Sequence, residues 1–259
     1  FSPGVLETLT KFPLRKMEFY HCNLTEQELK TIFNTRGLKT VRIKESGVDS
    51  EMLRNIPVSK SINVATFDRN KIDGAGVKLI VEKLPEIYSL DLTGLKIENQ
   101  DLEHLKNLKK LRLLYLEDCN LIDGKGLNIL SKGSPQLTFL DLGGTSISGK
   151  ETPLLKQLKF LEIVALTRCN LKDDDLKKIA QLPRLKELDI SKNEDITIKG
   201  LNYLKHKKDL SVKVKECYGL KKEEIESFIR ENPGIKVLDW KKLDQKPDSF
   251  RYLLDNQAL

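Results

Sequence analysis

The chain has 259 residues, with 45 Lys and Arg against 38 Asp and Glu and a net charge of +7 at pH 7. That length is ample for a core of one or two domains, and no apolar run approaches the roughly eighteen residues of a membrane-spanning helix. The excess positive charge is spread along the sequence among many acids, a distribution that suits solubility and an acidic partner and is weak evidence for nucleic acid, which is not expected as a partner.

No basic-then-apolar leader opens the chain. Residues 1–13 read instead as the helical half of a repeat already under way: Leu6, Leu9 and Phe12 precede Pro13 as Leu176, Ile179 and Leu182 precede Pro183. Either this half-repeat caps the stack or the natural chain continues upstream of Phe1.

From residue 14 to 240 one figure recurs. Its rungs are Cys22, Ser46, Asn70, Leu95, Cys119, Thr145, Cys169, Asn193 and Cys217, mostly 24 residues apart, with one step of 25 and one of 26. A fixed period of this size marks stacked supersecondary units. Leucine or isoleucine usually stands eight residues before the rung (Leu38, Ile62, Leu111, Leu137, Leu161, Leu185), and apolar residues stand five and three before it, as in Val41 and Ile43 or Leu188 and Ile190. A partial last copy shows as Ile235, Leu238 and Trp240. Residues 241–259, with Phe250, Leu253 and Leu254, are expected to cap the C-terminal end, because an open solenoid end must cover its core.

Each repeat has two halves. The first alternates apolar and polar residues, which is strand periodicity with one buried face. The second has helical spacing, as in Leu176, Ile179 and Leu182. Thr25 with Glu28 and Ser148 with Glu151 fit capping boxes, and Asp173 is a candidate cap. The expected fold is therefore an α/β right-handed solenoid, a horseshoe of about nine to ten repeats with parallel strands inside and helices outside. All four cysteines fall on rungs. They are too dispersed for disulfides or a metal site and read as buried, reduced thiols.

The segments LYLEDCNLIDGKGLNIL and VALTRCNLKDDDLKKIA resemble the cysteine-containing subclass of the leucine-rich repeat family. That subclass is similar to repeats of F-box ubiquitin-ligase receptors and of bacterial effector proteins. The resemblance implies a non-catalytic module that binds a protein on its concave face, either as an effector inside a host cell or as a ubiquitin-ligase adaptor. It carries no cofactor, and we expect a monomer. Free thiols favour a cytoplasmic setting, with a secreted or periplasmic surface repeat protein as an alternative.

If partners bind the concave face, the residues flanking the buried strand positions become the candidates. Leu113, Phe139 and Ile163 fall at the same inner position of consecutive copies, with Tyr115 beside them, and read as an exposed apolar anchor. The alternative is that they extend the core. Asp91, Glu117, Asp118, Asp141 and Asp189 surround them, so a partner with a basic rim is expected, steered by Asp91, Glu117, Asp118 and Asp141. A further alternative, stimulation of a GTPase, would need a rim arginine, for which Arg69 and Arg168 are the candidates. The glycine-rich DGAG (Asp73–Gly76) and DGKG (Asp123–Gly126) recur at the strand-to-helix turn and read as repeat punctuation, not phosphate loops. The lysine clusters KHKK (Lys205–Lys208) and KKEE (Lys221–Glu224) read as solvated surface near the convex helices.

Overall fold

The computed structural model describes residues 4–240. Ten strands form one parallel sheet in which every strand pairs with its neighbours in sequence: β1 (Lys16–Tyr20), β2 (Thr40–Lys44), β3 (Val64–Thr66), β4 (Ser89–Asp91), β5 (Leu113–Tyr115), β6 (Phe139–Asp141), β7 (Ile163–Ala165), β8 (Glu187–Asp189), β9 (Leu210–Lys213) and β10 (Ile235–Leu238). The register never slips, so the expected lateral rows are real: Leu113 pairs Phe139, which pairs Ile163, and Tyr115 pairs Asp141. Middle residues such as Val41, Leu90, Leu114, Leu140 and Leu188 point away from the concave side and are fully buried.

The outer half of each copy returns the chain antiparallel to the strands. It is α-helical in α1 (Val5–Leu9), α2 (Glu26–Phe33), α3 (Ser50–Arg54), α4 (Gly74–Lys83), α5 (Gly124–Gly133), α6 (Asp173–Ile179), α7 (Ile198–Asn202) and α8 (Lys222–Glu231). Two copies use 3-10 segments instead, Asn99–Asn107 and Thr152–Gln157, the second with proline at its start. One to three apolar side chains per outer segment, as in Leu127 with Leu130 or Leu176 with Ile179, drive into the main core between sheet and helices. Burial of each such side chain contributes roughly 1.5–3 kcal/mol, all of it dependent on the neighbouring copy.

Helix starts follow the sequence in part. Thr25 and Glu28 make the expected capping box, Thr25 N donating to Glu28 Oε2 at 2.8 Å and Glu28 N to Thr25 Oγ1 at 3.2 Å. Ser148 N donates to Glu151 Oε2 at 2.9 Å, but Pro153 follows and only a 3-10 turn forms. Asp173 does not cap its own helix, which is entered from Lys172; its carboxylate accepts the backbone N–H and the hydroxyl of Thr197 one copy on, at 2.8 and 2.7 Å. The same stitch joins Asn99 to Asp123 N at 3.0 Å and Ser50 to Asp73 N at 3.1 Å. Asp73 and Asp123 in turn cap α4 and α5, the turn role expected of the two glycine-rich motifs.

The ends differ from expectation. Among the described residues of the first half-repeat only Leu6 is buried, while Leu9 and Phe12 are 40% and 58% exposed. In β10 the buried pair is Ile235 and Val237; Leu238 lies on the concave side opposite Lys213, one residue out of the expected phase. A one-residue shift in a strand swaps the faces. The cap expected over residues 241–259 lies outside the described residues.

Because all the helices run the same way, their N-termini share one edge of the solenoid and their C-termini the other. Aligned dipoles favour acids at the first edge and bases at the second. Several helices follow that rule: Glu26 and Glu28, Asp173 to Asp175, and Glu223 and Glu224 stand at helix starts, whereas Lys83, Lys132, Lys156, Lys177 and Lys178 stand at helix ends; Lys125 in α5 and Lys222 and Glu231 in α8 run against it. Charge that looks dispersed along the sequence is thus partly sorted in space. Lys205–Lys208 belong to this second edge, in the connection from α7 to β9, rather than to the convex surface.

Candidate partner-binding face

The expected anchor residues do come together. Leu113, Tyr115 and Phe139 form an apolar cluster distinct from the main core, with Tyr88 and Ile163 packed against it. The Tyr115 and Phe139 rings lie 4.5 Å apart between centroids, tilted by 43°. Their exposure differs from expectation: Leu113, Tyr115 and Phe139 are 4, 3 and 2% exposed, and only Ile163 is half-buried. Parallel strands stand ~4.8 Å apart, so large side chains in adjacent rows shield one another. The cluster is a second, smaller core set into the concave side.

The acids have structural partners as well. Asp91 Oδ1 accepts Thr93 N at 3.0 Å, Asp141 Oδ1 accepts Gly143 N at 2.9 Å, and Asp189 Oδ1 accepts Ser191 N at 3.0 Å. In all three copies the carboxylate closes the turn that ends the strand, and Asp91 is only 4% exposed. Burial holds the Asp189 carboxyl above the usual carboxylate range, and burial likewise lowers its register neighbour Lys213.

Asp118 and Glu117 are ion-paired. Arg69 Nη2 lies 3.1 Å from Asp118 Oδ2, and Arg168 Nη2 lies 2.5 Å from Asp118 Oδ1 and 3.3 Å from Glu117 Oε1. Burial works against the charge of Arg168, but Asp118 and Glu117 outweigh it and raise its pKa. These two arginines and Asp118 occupy the same turn position in alternate copies. In that position Glu45, Arg69, Asp118, Arg168, Lys192 and Glu216 all have φ between 47° and 62°, in the left-handed region. The conformation aims each N–H at the next copy, as in Asp118 N to Gly143 O at 2.8 Å. The intervening copies carry Gly94 and Gly144 at φ of 67° and 65°. A Cβ on Gly94 would stand 2.7 Å from Arg69 Cγ, and one on Gly144 would stand 2.5 Å from Asp118 Oδ1. Arg, Gly, Asp, Gly, Arg on five successive turns therefore makes one cluster, the glycines leaving a lane for each arginine.

The rungs behind this face are hydrogen-bonded. Asn70 Oδ1 accepts Ser46 N and Val48 N at 3.1 and 3.2 Å, while its Nδ2 donates to Ile43 O at 2.9 Å. Asn193 repeats the pattern with Cys169 N, Leu171 N and Leu166 O. A cysteine keeps the donation alone: Cys119 to Leu92 O at 3.1 Å, Cys169 to Leu142 O at 3.4 Å and Cys217 to Ile190 O at 3.2 Å. Burial pushes the Cys119 and Cys169 thiols up to about 12 and that of Cys217 up to about 11. The cysteines are free thiols, and only Cys22 at the end of the stack is half-exposed. Among the described residues no group of His, Cys, Asp and Glu is arranged to hold a metal ion, and no helix is long and apolar enough to cross a membrane.

An unbroken parallel sheet, helices outside it and hydrogen-bonded rungs between them define an α/β leucine-rich repeat solenoid. No protein-family model matches the chain, and no curated protein matches it in sequence. Among solved structures, a chain from the crystal structure of the yeast Rad7 and Elc1 complex superposes with a TM-score of 0.53 at 15% identity, covering 93% of this chain and 81% of that one. At that identity the likeness concerns the fold.

Proposed function

We propose that the chain is a non-catalytic recognition module that binds a protein partner on its concave face. The observation that carries this reading is the continuous inner surface of ten strands in one register, held rigid from behind by its rungs. A preformed surface of that kind lowers the ordering cost of association. The buried trio of Leu113, Tyr115 and Phe139 serves as the floor. Ile163, Asp141, Glu117 and Asp118 supply the accessible contacts, and Asp91 shapes the floor without steering. The structural relative comes from a protein complex, which accords with this reading. An adaptor in ubiquitin ligation and an effector delivered into a host remain roles to which the family resemblance points.

The GTPase-regulator alternative is weaker. An arginine that completes a phosphate site in another protein must be free to extend, whereas Arg69 and Arg168 are both held by Asp118.

The test is photo-crosslinking in cell lysate, from a probe at position 163 on the concave side and from one at position 199 on α7. A protein crosslinked from 163 and not from 199 supports the reading. Crosslinks from 199 alone would refute it.

A further inference from the structure

The edge formed by the helix C-termini and the helix-to-strand connections carries more positive charge than helix dipoles require. A helix end is equivalent to roughly half a charge. Yet Lys132 in the last turn of α5 and, beyond the last helical turns, Lys60, Lys109, Lys159, Arg184 and Lys208 are all exposed, one to a copy except in the α4–β4 connection, which carries Glu86 instead. Among the described residues none of these six makes an ion pair with an acid. Neighbouring bases that do, Lys110 with Glu86 and Lys186 with Glu162, remain 66% and 64% exposed at the side chain. The row runs from the β2–β3 connection to the α7–β9 connection, six strand spacings or ~29 Å at the sheet.

An aromatic ring stands in this row. Phe160 follows Lys159 in the connection to β7 and is 46% exposed. The Arg184 guanidinium of the next copy lies over it, 4.9 Å from the ring centroid. An exposed ring sharing its face with an arginine, inside a line of lysines, combines the two features by which proteins hold an unpaired strand: cations that track the phosphates and flat groups on which bases stack.

We propose that this edge is a binding site for single-stranded nucleic acid, with phosphates along the lysine row and a base stacked on the Phe160 and Arg184 pair. A duplex keeps its base faces hidden and leaves Phe160 without a stacking partner. An acidic polypeptide has carboxylates but no flat faces to match it. In the sequence the charges look dispersed; the solenoid gathers a row of the bases on one edge and meets that objection there. The site is separate from the concave face, so it stands or falls independently of the proposed protein partner.

The experiment is fluorescence anisotropy of the full chain with a labelled mixed-sequence single strand of about 16 nucleotides, titrated between about 50 and 200 mM salt. We expect binding that weakens with log salt at a slope near −0.7 per phosphate neutralised. Phe160→Ala should weaken it roughly 5- to 100-fold. Lys109→Glu with Lys159→Glu should weaken it and flatten the slope by about 1.4. Lys199→Glu, at the opposite edge, should change neither. Circular dichroism of each variant controls for folding. The proposal is overturned if no binding occurs at the lowest salt, or if Phe160→Ala binds as tightly as the parent. Equal affinity for a duplex, for poly-glutamate of matched charge or for anionic-lipid vesicles would also overturn it, because the edge would then read charge alone.

Discussion

Arg69 and Asp118 lie 49 residues apart in sequence, and their side chains meet at 3.1 Å across a turn that bears no side chain. Arg168 approaches the same carboxylate from the other side, 50 residues further on. One aspartate thus ties together five consecutive turns of the solenoid.

Asp118→Asn should remove one ion pair from each arginine, leaving Arg69 on Asp68 and Arg168 on Glu117. The arginines are 41% and 37% exposed at the side chain, and pairs of that kind contribute a few tenths to about 1 kcal/mol each. A loss of about 1 kcal/mol is expected in urea unfolding at low salt, shrinking at ~1 M salt where screening already weakens the pairs. An unchanged midpoint at low salt would mean that the cluster adds nothing to the fold.

Gly144→Ala and Gly47→Ala separate two effects. Both glycines have left-handed φ, +65° and +76°, but an added Cβ meets Asp118 Oδ1 at 2.5 Å at the first and nothing nearer than 3.7 Å at the second. Gly47→Ala should cost about 1 kcal/mol from backbone conformation alone, and Gly144→Ala measurably more. Equal losses by thermal unfolding would show that the cluster yields without strain.

Phe139→Ala tests whether the concave cluster is core. Phe139 is 2% exposed, and removing a buried phenyl ring typically costs about 3–5 kcal/mol. Ile163→Ala, at a half-buried position, should cost clearly less. A Phe139→Ala loss below about 1 kcal/mol, in the range of surface changes, would restore the reading of an exposed anchor.

The thiols predict a pH dependence. Cys119, Cys169 and Cys217 are pushed up to about 12, 12 and 11 from an ordinary 9.0. Above pH 9 the unfolded chain loses these protons while the folded chain keeps them, so their stabilisation is complete below pH 9. It falls as pH rises from 9 through about 11 and 12. Each thiol contributes a slope of roughly 1.4 kcal/mol per pH unit in that window. At pH 8 a thiol reagent should label Cys22 alone on the native protein and all four cysteines after denaturation. Rapid native labelling of Cys119 would contradict its burial.

Much of the fold was legible in the sequence because a period of 24 depends on residue type alone: the apolar residues five and three before each rung, such as Leu114 and Leu116, are all buried. The concave candidates were legible as positions, but not as states. Leu113 and Phe139 looked exposed because strand alternation assigns a face, whereas their burial depends on the size of the side chains one strand away. Asp91 and Asp141 looked like steering charges because the turn amides of Thr93 and Gly143 that bind them are invisible in composition. The Asp118 cluster could have been found by writing the turn residues in a column and seeing Arg, Gly, Asp, Gly, Arg. The basic edge would have emerged from the same exercise one helix later.

The two halves of each copy differ in how much variation they admit. Strands β3 to β8 hold three residues each, while the outer segments range from five residues in α3 to ten in α4 and α5. The longer copies, of 25 and 26 residues, contain the ten-residue helices α4, α5 and α8. The inner half is therefore a gauge and the outer half is slack. A residue inserted between Leu130 and Gln136 would bulge outward and leave every rung seated. One inserted between Leu140 and Thr145 would unseat its own rung and the turn beside it. Such a chain can grow or shrink safely in only two ways, by loosening its outer arc or by gaining and losing whole copies.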